Sequence, residues 1–98
     1  MDNSETVAAG NTDAWQDDVG PRLEAAILGL LAARADTATI CPSDAARTVA
    51  PDNWRPLMDE ARGAAGRLVA SGDVDITQRG EVVDLSSVRG PIRIRRRR

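Results

Sequence analysis

Arginine is the chemistry-bearing residue of this chain. All 13 basic residues are Arg, none is Lys, and His is absent. A guanidinium keeps its charge at any ordinary pH, and its planar fork of donors matches phosphate oxygens and the guanine edge. The arginines best placed to meet an anion are Arg47, Arg55, Arg62, Arg67, Arg79, Arg93, Arg95 and Arg96. Arg47, Arg55 and Arg62, with Trp54 beside them, are spaced to converge near one turn as an anion pocket. Arg62 also has local acids, Asp44 and Asp59, to bridge to as a structural alternative.

Other chemistries are poorly supplied. Cys41 is the only cysteine, so neither an intrachain disulfide nor a cysteine zinc site can form. Nucleophilic catalysis needs a base beside the thiol, and there is no His to serve. Cys41 reads instead as a small residue at a helix cap. Asp75 and Asp84 fall opposite each other in a predicted hairpin, but two exposed carboxylates make a weak cation site. No phosphate-binding Gly loop and no set of metal-spaced ligands stands out. The expectation is a non-enzyme with no cofactor, metal or small-molecule substrate.

The elements that must position the arginines follow from hydrophobic spacing. Pro21 suits the first turn of a helix, and Leu23, Ile27, Leu30 and Leu31 form its apolar stripe to about residue 35. Ile40 is a buried anchor or very short strand. Pro42 opens a second helix to Val49, turned inward on Ala45, Ala46 and Val49. Residues 50–53 break it, and a third helix over about 53–71 carries Trp54, Leu57, Met58, Ala61, Ala65, Leu68 and Val69 on one face. Gly72 ends it. With no Phe or Tyr in the chain, Trp54 is the expected large block of a core that includes Leu23, Ile27, Leu30, Leu31, Leu57, Met58 and Leu68.

Residues 73–84 then alternate as a β-hairpin turning at Arg79-Gly80. Its register sets Ile76 opposite Val83, Val74 opposite Leu85 and Asp75 opposite Asp84. Ile92-Arg93-Ile94-Arg95 reads as one more short strand. Helix, short helix, long helix and hairpin is the order of an α+β winged helix-turn-helix, with residues 73–85 as the wing. The expected domain spans residues 20–95, between an unstructured acidic tail (1–19) and a basic tail (96–98).

Charge bounds the partners. The formal net charge of −2 hides Asp2, Glu5, Asp13, Asp17 and Asp18 near the start and Arg89, Arg93 and Arg95 to Arg98 near the end. The third helix sets three Arg against Asp59 and Glu60. The wing sets Arg79 against Asp73, Asp75, Glu81 and Asp84, which works against phosphate contacts. A terminal arginine run grips phosphate or an acidic partner, or simply solubilises the end. No apolar run approaches a membrane span, and the acidic start lacks an apolar leader, so a cytoplasmic protein is expected.

Three stretches carry a family resemblance. They are Ile40-Cys41-Pro42-Ser43-Asp44-Ala45-Ala46-Arg47, then Trp54-Arg55-Pro56-Leu57-Met58 with Arg62, and finally Gly90-Pro91-Ile92-Arg93. Together they resemble a small bacterial family, domain of unknown function 3253, over about residues 22–95. The resemblance implies a winged-helix-like fold and brings no activity with it. Two functions stay open: a module acting on nucleic acid or a nucleic-acid-associated complex, and a protein-interaction adaptor, alone or as a homodimer. Positive charge joining Arg55, Arg62 and the last strand favours the first. An apolar patch on the third helix or wing favours the second.

Overall fold

In the computed structural model the backbone is described for residues 6–35 and 37–97, with side chains from Asp18 onward. The chain forms α1 (Thr6–Ala32), β1 (Thr39–Ile40), α2 (Pro42–Val49), a 3-10 turn (Arg55–Leu57), α3 (Met58–Ala70), β2 (Val74–Gln78), β3 (Glu81–Val82) and β4 (Arg93–Arg96). It is an α+β domain in which three helices pack on a four-stranded antiparallel sheet.

The sheet order is β1-β4-β2-β3, so the last strand lies in the middle. Ile94 faces Ile40 on one side and Ile76 on the other. With Val74 and Ile92 these residues form the sheet side of the core. Leu23, Ile27 and Leu31 of α1, Ala45 and Ala46 of α2, and Leu57, Ala61, Ala64, Ala65 and Leu68 supply the helical side. The alanines on α2 and α3 let the helices approach closely, which suits a chain with two aromatic residues.

Several sequence expectations are corrected. Helix α1 starts at Thr6 rather than Pro21, which lies inside it, and ends at Ala32. The helical backbone therefore runs back through residues expected to be unstructured, while residues 1–5 lie outside those described. An interior proline removes one helix hydrogen bond and crowds the preceding turn, and the first buried side chain described is Val19, just before it.

The expected third helix divides in two. Leu57 N–H donates to Trp54 O at 2.9 Å, and Met58 N–H donates to Arg55 O. These three-residue bonds are the tighter winding of a 3-10 turn, and the regular helix starts only beyond Pro56. Trp54, Met58 and Leu30 are only partly buried, so Trp54 is a margin residue and not the central block. Gly72 does cap α3, at φ 87°, with Asp73 N–H on Leu68 O at 2.9 Å and Gly72 N–H on Val69 O at 3.0 Å.

The hairpin turns at Arg79 (φ 56°) and Gly80 (φ 84°), both positive as a type I′ turn requires. Val83 N–H meets Ile76 O at 2.9 Å, the expected register. The return strand is only Glu81–Val82, however, and Val74 and Asp75 pair with Arg96 and Arg95 of β4 instead of Leu85 and Asp84. Asp84 leaves the sheet to accept from Ser86 N–H at 2.9 Å and Ser86 Oγ at 2.7 Å. Arg96 ends β4, and Arg97 N–H donates to Asp73 O at 3.0 Å, so the fold continues past the expected limit of residue 95. Arg98 lies outside the described residues. Among those residues, no helix is long and apolar enough to cross a membrane.

Candidate functional site

Local capping places the arginines around the α2–α3 turn. Pro42 occupies the first turn of α2, and Cys41 N–H donates to Asp44 Oδ2 at 2.9 Å. The helix thus starts firmly and presents Arg47 in its last turn. Asn53 N–H on Ala50 O, at 3.1 Å, folds the connector back so that Trp54 lies beside α2. Arg47 Cζ sits 4.4 Å and Arg55 Cζ 4.7 Å from the Trp54 ring centroid. Both guanidiniums therefore share one indole, a cation–π arrangement worth about 0.5–1 kcal/mol per contact at exposed sites.

Arg62 does not join them. Its Nη1 donates to Gly90 O at 3.5 Å, linking α3 to the segment that enters β4. Gln78 Nε2 fixes the same segment by donating to Arg89 O at 2.7 Å and Pro91 O at 3.1 Å. Arg79 and Arg89 line an open concavity of about 480 Å³ with Gln78 and Pro91.

Arg67, Arg93, Arg95, Arg96 and Arg97 are engaged elsewhere. Arg67 pairs with Glu24 and ties α3 to α1. Arg93 donates to Thr39 Oγ1 at 2.8 Å, Thr39 O at 3.2 Å and Cys41 Sγ at 2.7 Å, fastening β4 to β1 and the start of α2. Arg95 and Arg97 converge on Asp75, at 3.6 and 2.9 Å. Arg96 donates to Leu31 O at 3.0 Å, at the end of α1. Thr37, Asp75 and Arg95 to Arg97 line a concavity of about 410 Å³ on this side.

The exposed residues of α3 are Asp59, Glu60, Gly63, Arg67 and Ala70, and the one donor among their side chains, Arg67, is paired with Glu24. The segment after β3 folds onto the flank of α3: a Cβ on Gly66 would lie 3.4 Å from Leu85 Cδ2. Between them runs an apolar groove of about 420 Å³, bordered by Gly66, Val69, Val83 and Leu85, with Asp84 and Ser86 at its lip. The two Ser86 hydrogen bonds hold the Asp84 carboxyl below its ordinary range. Val82 nearby is 58% exposed.

The sequence profile of a family described as a protein of unknown function, DUF3253, matches residues 20–97. The chain belongs to that family. The match takes in Arg96 and Arg97, whose bonds to α1 and β2 make them part of the DUF3253 domain and not of a tail. No curated protein matches the chain.

The DUF3253 domain thus divides its arginines into sets. Arg47 and Arg55 meet at Trp54, and Arg62, Arg79 and Arg89 gather around residues 78–91. Arg67, Arg95 and Arg97 neutralise carboxylates. Sequence reasoning missed Asp75 as the anchor of β4, because it assigned Asp75 to the hairpin and left β4 without its neighbours. It also missed Gln78, whose only signal was a polar side chain inside an apolar strand pattern. Among the described residues no group of three or more His, Cys, Asp or Glu could hold a metal.

Proposed function

We propose that this chain is a winged-helix binding module that grips the phosphate backbone of nucleic acid without reading its bases. The element order supports the winged-helix assignment: helix, strand, two helices joined by a turn, strand, a long excursion over residues 79–92, and a last strand between the other two. In such a module, α3 is the helix that would face a groove and the excursion is the wing.

One observation carries the reading. Arg47, Arg55, Arg62, Arg79 and Arg89 lie on α2, the α2–α3 turn, α3 and the wing, and among the described residues none has a carboxylate partner. Of the carboxylate-paired arginines, Arg67 lies on α3 and Arg95 and Arg97 at β4, while Arg22, Arg34 and Arg93 also have no carboxylate partner among the described residues. Unpaired guanidiniums on these elements are available for phosphate contacts, which supply most of non-specific affinity.

The exposed face of α3 argues against base readout: its one donor, Arg67, is paired with Glu24, and Asp59 and Glu60 on the same helix carry the charge that phosphates repel. Asp52, Asp59, Glu81 and Asp84 on the same elements lower the local potential. Binding should therefore be weak, with Kd of about 10⁻⁴–10⁻⁶ M, steep in salt and indifferent to sequence.

Fluorescence anisotropy with mixed-sequence duplexes across a salt series tests this. Each of R47A, R55A, R62A, R79A and R89A should weaken binding uniformly across sequences, and each lost phosphate contact should flatten the log–log salt slope by about 0.9. No binding by the native chain at low salt sinks the proposal.

The apolar groove and exposed Val82 favour a second reading, a protein-interaction adaptor, with a second copy of the chain as its simplest partner. Sedimentation equilibrium separates the two. A dimer that Val82→Asp converts to monomer supports the adaptor, and a concentration-independent monomer excludes self-docking.

A further inference from the structure

We propose that Arg47 and Arg55, gathered on Trp54, form a binding site for a single phosphate group. The pair belongs to the arginines of the nucleic-acid reading and narrows that reading to one site, which duplex binding is not required to reveal.

The argument begins with the cost of the arrangement. Two fixed positive charges within 5 Å of the same ring centroid repel one another. The usual remedy is a carboxylate between them, and no ion pair reaches either residue among the described residues. Asp44, the acid of α2, is occupied with Cys41 N–H. Asp52 and Asn53 share a cleft of about 110 Å³ with Trp54 and Arg55, yet no hydrogen bond or ion pair joins Asp52 to either arginine. The helix dipole accounts for a basic residue in the last turn of α2. It does not account for Arg55 arriving on the same ring from the following turn.

The indole therefore weakly gathers two exposed guanidinium forks around one ring before any ligand arrives. A tetrahedral phosphate can take two donors from each fork, which is the geometry that distinguishes arginine from lysine. Pre-placement lowers the side-chain entropy lost on binding. Both arginines are exposed, so water and salt compete and affinity should be about millimolar. Inorganic phosphate, a terminal phosphomonoester and a backbone phosphodiester all offer this chemistry.

The test uses the full chain with Trp15→Phe, which leaves Trp54 as the one tryptophan. Inorganic phosphate is titrated against its emission at constant ionic strength, with chloride as the balancing anion. The expected result is saturation near millimolar phosphate. R47A and R55A should each weaken it about tenfold or more, as loss of charge-assisted bonds implies. Arg22→Ala removes the same charge from an exposed position on α1 and should leave it unchanged. Asp52→Asn should tighten it by removing a competing negative charge. Circular dichroism melts confirm that each variant is folded.

Absence of saturation by the Trp15→Phe chain with Arg47 and Arg55 intact overturns the site. So does an equal response to chloride, or equal losses in R22A and R47A. Parallel titrations with duplexes bearing 5′-phosphate or 5′-hydroxyl ends separate the sources. Preference for the 5′-phosphate assigns the site to a phosphomonoester, and equal binding assigns it to the backbone. Phosphate saturation without duplex binding leaves the site standing and removes the nucleic-acid reading alone.

Discussion

Asp75 is the acid on which two arginines of the last strand converge, with Arg97 Nε at 2.9 Å and Arg95 Nη2 at 3.6 Å. Its side chain is 19% exposed, while its partners are 40% and 34% exposed, so solvent screens the pairs in part. Asp75→Asn should cost about 1–2 kcal/mol after that discount, or about 5–10 °C in Tm for a domain of this size. Thermal unfolding followed by circular dichroism checks it, and an unchanged Tm would reduce the cluster to a surface ornament. Asp84 makes a different prediction. Its Ser86 hydrogen bonds depress its pKa in the folded state, so the stability it contributes is present above the ordinary carboxyl range. That contribution is lost as pH falls through the lower, folded value. An NMR titration of the Asp84 carboxyl carbon should place its midpoint below that of an unpaired Asp, and Ser86→Ala should move it upward.

At the scale of elements, local signals were legible and non-local pairing was not. Pro42, Val49 and Gly72 marked α2 and the end of α3 because caps and helix periods are written in adjacent residues. Arg79-Gly80 gave the correct register of Ile76 with Val83 for the same reason. The alternation Ile92-Arg93-Ile94-Arg95 announced a strand, but nothing local said that it would insert between β1 and β2. Without that knowledge Val74 was assigned to Leu85, and Arg96 to a tail. The candidate site shows the same limit: Arg47 and Arg55 near Trp54 could be read from spacing, whereas the Arg62 contact with Gly90 spans the whole α3–β4 connection. The central position of β4 carries its own prediction. A chain ending at Ile92 loses the strand between β1 and β2, together with the Ile94 contacts to Ile40 and Ile76. It should not fold cooperatively. A sharp melting transition in that truncated chain would contradict the sheet order.

At the scale of the molecule, charge opposes function in a way that salt can measure. The formal net charge is −2, yet the proposed phosphate contacts need local positive potential. Acids Asp2, Glu5, Asp13 and Asp17 precede the family match, which begins at residue 20. Converting these four to Asn or Gln moves the formal charge from −2 to +2. Long-range repulsion acts only within about a Debye length, roughly 14 Å at 50 mM salt and 6 Å at 0.3 M. The neutralised chain should therefore bind duplex DNA about tenfold more tightly at 50 mM salt, with the gain gone by about 0.3 M. R47A and R55A should weaken both chains by the same factor, because distant charges and local contacts contribute independently. Equal affinities at 50 mM would mean that the N-terminal acids lie beyond the reach of the bound phosphates. A gain that persisted at 0.3 M would mean that they compete directly for the same arginines.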